Sequence, residues 1–228
     1  MKLMIILNSI FLKIFYPNAS FGSKVQVIGI KGVSIGDGTC IGDQSWLNVA
    51  IRDKNKRMNI GGNVLIGRHA VITTAEYLEI GDFCVLSPRV YISETDHVFN
   101  DLSKPILEQG VVKGKKVIIE ENCWLGINSV IVGDLVIGRG SVVAANSVVK
   151  STVPPFSVVA GSPARIVKMY NPKTENWERV KDEDDVKRIE RERKDFEIPS
   201  RIDYKEILYS NCKMKRVHPI LAGRGISV

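Results

Sequence analysis

A six-residue period organises the middle of this chain. Ile35-Gly36 recurs as Ile41-Gly42 and then as Leu47. Ile60-Gly61 is followed by Ile66-Gly67 and Ile72, and Ile80-Gly81 by Leu86 and Ile92. The longest run is Ile119, Leu125-Gly126, Ile131, Ile137-Gly138, Val143 and Val149. A helix repeats its apolar positions every 3.6 residues and a strand every two. A period of six suits neither. It suits a coil of short flat rungs, with an aliphatic side chain turned inward at each sixth position and a small residue where the backbone bends. Three hexapeptides close one triangular turn of about eighteen residues. Stacked turns share one core, so no turn is stable alone.

The period slips in three places. Asp53 to Arg57 is a charged bulge, and Glu76-Tyr77 marks a smaller slip. Glu94 to Lys116 is a long polar excursion after which the repeat resumes at Ile119, so it reads as a loop protruding from an intact coil. Val153 keeps the period, and Pro154, Pro155 and Pro163 end it. From Lys173 to Lys194 the chain is densely charged. With Trp177, Val180, Val186 and Ile189 as its apolar residues, it reads as a solvated helix with a thin apolar stripe. Asp203 to Tyr209 reads as one more short helix, and Lys213 to Val228 as a loose end.

The apolar stretch Leu3 to Leu12 is too short to span a bilayer, which takes roughly 20 residues. It reads as an amphipathic helix packed on the domain, with a membrane-surface helix as the alternative. The four cysteines, Cys40, Cys84, Cys123 and Cys212, are scattered, which favours a reducing compartment over a disulfide framework or zinc site. The expected location is therefore cytoplasmic, with association at the inner face of the membrane left open. Of 228 residues, Lys plus Arg make 32 and Asp plus Glu 25, a net charge of +7. Residues 24–164 are nearly neutral, and the excess falls in the sequence on either side of them. Basic residues alternate with acids and lack an aromatic platform, so nucleic-acid binding is not expected.

The run Ile119-Glu120-Glu121-Asn122-Cys123-Trp124-Leu125-Gly126, continuing through Val136-Ile137-Gly138-Arg139-Gly140 to Val153-Pro154-Pro155 and Gly161-Ser162-Pro163-Ala164-Arg165, resembles the hexapeptide-repeat acetyltransferases. The likeness is to the branch of galactoside and maltose acetyltransferases and polysaccharide O-acetyltransferases. It extends over roughly 24–168 and includes the pair Asp96-His97. It implies a mainly β fold: a left-handed parallel β-helix (24–168) with a protruding loop (94–116), a short N-terminal helical segment (1–23) and a charged C-terminal helical extension (169–228). It also implies a homotrimer, a carbohydrate acceptor, and acetyl-CoA as co-substrate in a cleft between neighbouring coils.

Transfer of acetyl to an alcohol needs a base, and an imidazole suits that task at neutral pH. The resemblance gives it to His97, with the adjacent Asp96 as the residue that would orient the ring. It places His69 near the acceptor, where such enzymes often carry Asn. Trp124 and Gly126 would line the pantetheine arm, and the Ile127 N–H would face the thioester oxyanion. Ala145, Lys150 and Ser151 match positions that meet pantetheine and the nucleotide end. Arg165 and Lys168 match positions that meet CoA phosphate. Ile127 and Ser151 stand where the sugar-specific branch commonly has Ser and Lys, which speaks against a simple mono- or disaccharide acceptor. A γ-type carbonic anhydrase shares the coil but holds its metal with three His, two of them five residues apart. His69, His97 and His218 contain no such pair, so no metal is expected. The leading reading is an O-acetyltransferase acting on a surface polysaccharide or its precursor. The alternatives are a nucleotide-amino-sugar N-acetyltransferase, which would take an amine, and a non-catalytic β-helix scaffold, which would not bind acetyl-CoA.

Overall fold

The structure is a computed structural model and describes residues 11–53 and 55–213. The chain winds in coils of three strands each. The first coil is β1 (Ser20–Phe21), β2 (Gln26–Ile28) and β3 (Val33–Ile35), and the second β4 (Cys40–Ile41), β5 (Trp46–Val49) and β6 (Met58–Ile60). The third is β7 (Leu65–Ile66), β8 (Val71–Thr74) and β9 (Tyr77–Ile80), and the fourth β10 (Val85–Leu86), β11 (Tyr91–Ser93) and β12 (Lys116–Ile119). The fifth is β13 (Trp124–Leu125), β14 (Val130–Val132) and β15 (Leu135–Ile137). The sixth has β16 (Val142–Val143) and β17 (Val148–Val149), and Val153 bridges to Ile137 in place of a third strand. First strands form sheet A, second strands sheet B and third strands sheet C, with parallel pairing between successive coils. This is the coil of short rungs that the six-residue period implied and the left-handed parallel β-helix that the resemblance implied.

The inward positions stack into ladders: Ile41, Ile66, Leu86, Leu125 and Val143 under sheet A, Leu47, Ile72, Ile92 and Ile131 under sheet B, and Ile60, Ile80, Ile119 and Ile137 under sheet C. All are buried. Each fully buried aliphatic contributes about 1.5–3 kcal/mol relative to exposure, so the ladders are the main source of stability. The bends use left-handed backbone in two columns. Lys24, Gln44, His69, Arg89, Asn128 and Asn146 turn the chain from sheet A to sheet B. Gly38, Asn63, Phe83, Asn122, Gly140 and Phe156 turn it from sheet C to sheet A. Coils approach closely there: a Cβ on Gly126 would lie 2.6 Å from the backbone N of Ala145.

Cys40, Leu65, Val85, Trp124 and Val142 occupy the same rung position. Successive coils are therefore 25, 20, 39 and 18 residues long. The extra residues leave at one corner, between sheets B and C. The three slips in the period thus form one column along one edge of the prism, and the largest is the long loop.

Two segments differ from the sequence reading. Residues 176–179 are not helical. They form β20 (Asn176–Arg179), which pairs antiparallel with β19 (Ala164–Asn171), itself antiparallel to β18 (Ser157–Gly161) at the end of sheet A. The helix begins later, as α3 (Glu183–Asp195), where the Asp182 side chain caps the N–H groups of Asp184 and Asp185. Ile189 is buried, and the Arg193 guanidinium bonds the carbonyls of Pro155, Phe156 and Tyr170, so α3 closes the end of the coil. The last helix, α4 (Arg201–Asn211), is longer than the expected 203–209 and folds back along the corner between sheets C and A. Arg201 pairs with Glu79 and Glu121, Lys205 with Asp82, and Tyr209 donates to Asp82 at 2.8 Å. Tyr204 and Tyr209 pack edge-on against Phe156 and Phe83, the two aromatic residues with positive φ in that column.

Candidate active site

The long loop is an ordered arm. It leaves the corner after β11, and its two limbs pair antiparallel: Val112 N–H donates to Asp96 O at 2.9 Å, Val98 N–H to Gly110 O at 3.1 Å, and His97 bridges Val111. The tip carries a short helical turn, α2 (Ile106–Gln109), and Gln109 ties Asp101 and Lys104 together. Phe99, Leu102, Ile106 and Leu107 are exposed on the arm. At its root, the Glu94 side chain is 1% exposed, and its Oε1 accepts from the Thr74 hydroxyl and from the N–H groups of Ala75 and Glu76 at 2.6–2.8 Å. Arg57, from the coil before, bonds the carbonyls of Ala75 and Glu76 and the Asp53 carboxylate. The three insertions are thus linked in series and end on the arm that carries His97.

His97 is exposed near the arm's root. Asp96 was expected to orient its ring, but the Asp96 carboxylate is engaged elsewhere: it pairs with Lys115 at 3.0 Å on the returning limb. That hydrogen bond, with the charge of Lys115 and the His97 backbone N–H, holds the Asp96 carboxyl below its ordinary value. Asp96 therefore braces the two limbs across the arm.

The expected cofactor residues fall mostly on one face. Trp124 projects outward from sheet A, and its indole N–H donates to Ser87 Oγ at 3.1 Å. The outward column of sheet A runs Val85, Trp124, Val142 and Val158, and Val158 pairs with Lys168. Lys168 thus shares that face, as does Arg165, which pairs with Ala160. At about 4.8 Å per strand, Trp124 and Lys168 are roughly 14 Å apart along the column. Ile127 and Ala145 flank this face at the corner with sheet B, on successive coils, and are exposed. Gly126 between them is buried and closely packed. The Ile127 carbonyl accepts from Asn146, while its N–H has no acceptor among the described residues.

Other expected residues lie apart from this face. Lys150 and Ser151 sit at the next corner, after β17. Ser151 and Arg165 meet in a cleft of about 590 Å³ at the end of the coil, which α3 also lines through Lys181 and Lys187. His69 holds a left-handed bend at the corner between sheets A and B, whereas His97 follows the far end of sheet B. The width of sheet B and the first residues of the arm lie between these two positions. Among the described residues no three His, Cys, Asp or Glu gather as a metal-binding group, and His218 lies outside those residues. Sequence reasoning missed Glu94, Lys115 and Ser87, because each acts on a residue that only coil stacking or arm pairing brings near.

A model of the bacterial transferase hexapeptide (six repeats) matches residues 116–151. A Mycobacterium tuberculosis protein named as a probable acetyltransferase is 34% identical over 136 residues, covering 60% of this chain and 44% of its own length. An Escherichia coli K12 protein, WbbJ, named as a lipopolysaccharide-biosynthesis O-acetyl transferase, is 32% identical over 124 residues, covering 52% of this chain and 63% of its own. The chain thus spans about half to two thirds of the length of these relatives. A solved structure of a mutant of AntD, an N-acyltransferase from Bacillus cereus in complex with dTDP and coenzyme A, aligns with a TM-score of 0.57 at 24% identity. It covers 72% of this chain and 89% of that one, and this is a likeness of fold. The repeat, the coil it builds and these relatives agree in making the chain similar to the hexapeptide-repeat transferases.

Proposed function

We propose that the chain is an acetyl-CoA-dependent O-acetyltransferase that acts on a sugar hydroxyl, in the cytoplasm, as a homotrimer. The observation that carries this reading is the outer face of sheet A. It holds an exposed indole beside a backbone N–H that has no acceptor among the described residues at one end and two exposed cations at the other. Its length suits an extended co-substrate with a thioester at one end and phosphates at the other. A ring nitrogen of His97 takes the proton of the acceptor hydroxyl as its oxygen attacks the thioester carbonyl carbon. The Ile127 N–H donates to the oxyanion that develops. The C–S bond then breaks, and the departing thiolate takes the proton from the imidazolium. The products are an acetyl ester and free CoA.

The arm that carries His97 starts at the corner of sheets B and C, away from sheet A of the same chain. A neighbouring copy solves this geometry by laying its arm, with exposed Phe99, Leu102, Ile106 and Leu107, against sheet A of the first. The polysaccharide acceptor is supported by similarity to the protein named as a lipopolysaccharide-biosynthesis O-acetyl transferase.

Release of free thiol from acetyl-CoA across a panel of hydroxyl and amino sugars tests the reading. Turnover with hydroxyl acceptors supports it, and turnover confined to amines contradicts it. Replacing Arg165 and Lys168 together by Ala raises the KM for acetyl-CoA by about 30–150-fold if each phosphate contact is worth roughly 1–1.5 kcal/mol. An unchanged KM removes those two residues from the site.

A further inference from the structure

Exposed lysines and exposed aromatic residues meet at one end of the β-helix. Residues 11–15 form the N-terminal helix, α1. Leu12 and the following Tyr16 are buried, and the Tyr16 hydroxyl donates to the carbonyls of Ile30 and Val33, which fixes this helix on the first coil. The opposite side points outward, with Phe11 50%, Ile14 72% and Phe15 46% exposed and the Phe11 and Phe15 rings 5.1 Å apart. Lys13, Lys24 and Lys31 are exposed around them. No Asp or Glu occurs in residues 1–36, where Lys2 is the fourth lysine.

The end of α4 arrives at the same place. Tyr209 and Lys205 of α4 share a cleft with Lys13, Pro17, Asn18 and Asp37. Beyond α4 the sequence carries Lys213, Lys215, Arg216 and Arg224 and no acid. Residues 1–36 and 213–228 together therefore hold eight basic residues, against a net charge of +7 for the whole chain. Of the nearby acids, Asp82 pairs with Lys205, whereas Asp37 and Asp43 accept from uncharged donors, the Asn18 amide and the Ser23 N–H, and offset part of this charge.

We propose that this end docks on an anionic lipid surface, with Phe11, Ile14 and Phe15 entering the interface and the lysines facing the headgroups. The occupant follows from charge: a second copy would bring the same uncompensated lysines against these, whereas an anionic bilayer neutralises them. The proposal is independent of the transferase reading, because its test uses no acetyl-CoA.

The test is flotation of the full chain with vesicles of phosphatidylcholine containing about one third phosphatidylglycerol, and with phosphatidylcholine alone. Binding is expected on the anionic vesicles only, and high salt weakens it. Phe11→Ser, Ile14→Ser and Phe15→Ser together lower the partition coefficient by about tenfold or more. Lys13→Glu, Lys24→Glu and Lys31→Glu together lower it by about 100-fold, at roughly fivefold for each surface cation. Thermal melts confirm that both variants fold. Absent binding, equal binding to neutral vesicles, or unchanged binding by both variants overturns the proposal. So does a drop in sedimentation mass of the Phe11/Ile14/Phe15 variant without lipid, which assigns the patch to a second copy.

Discussion

Glu94 lies three residues before His97, and its side chain is bonded to the preceding coil. Its Oε1 serves three donors, and neither its Oε2 nor the Thr95 hydroxyl has a partner among the described residues. Glu94→Ala leaves the Ala75 and Glu76 N–H groups and the Thr74 hydroxyl without their acceptor and costs about 2–4 kcal/mol. Glu94→Gln keeps an acceptor oxygen and costs less. Denaturant unfolding of the two variants checks the order, and equal stabilities contradict it. The candidate His97 was legible in the sequence through the resemblance, which marks the Asp96-His97 pair at the start of the loop. Glu94 was not, because Ala75 and Glu76 lie a whole coil away. The Asp96–Lys115 pair was hidden for a related reason: Lys115 comes near only when the two limbs pair.

At the scale of elements, α4 is held by charge. Burial pushes the Glu79 carboxyl up, but its bonds to Arg201 and Tyr77 outweigh this and hold it below its ordinary value. Asp82 behaves alike, with burial outweighed by Lys205, the Gly62 N–H and Tyr209. A carboxyl lowered by folding adds stability that is fully present above its unfolded value, about 4, and is lost as pH falls through the folded value. Amide exchange in α4 is therefore expected to accelerate below about pH 4, ahead of exchange in β9 and β12, whose ladders are aliphatic. Simultaneous loss of protection in all three contradicts this. The rungs were legible because each obeys the same local rule of inward aliphatic and small residue at the bend. The β19–β20 hairpin was not, because Asn176 to Arg179 is as polar as the helix after it and its strand form depends on pairing with β19. The docking of α4 was also hidden, since Arg201 is separated from Glu121 by 80 residues and from Glu79 by 122.

The whole molecule relocates the net charge. In sequence the excess flanks the coil on both sides. In space the end of α4 lies beside α1, so among the described residues Lys205 joins Lys13 near the exposed Phe11 and Phe15. The same scale sets the site, since the arm and the outer face of sheet A belong to different sides of one chain. A mixture of His97→Ala chains with chains changed at Trp124, Arg165 and Lys168 to Ala is then expected to recover activity on reassembly, because hybrid trimers contain sites with an intact arm and an intact face. Activity that stays at the sum of the two parents places both halves of the site in one chain. The central claim, that His97 is the base for acetyl transfer, is tested most directly by steady-state thiol release with His97→Ala. The account predicts a kcat lower by about 10²–10⁴-fold with the KM for acetyl-CoA little changed, whereas near-normal turnover would contradict it.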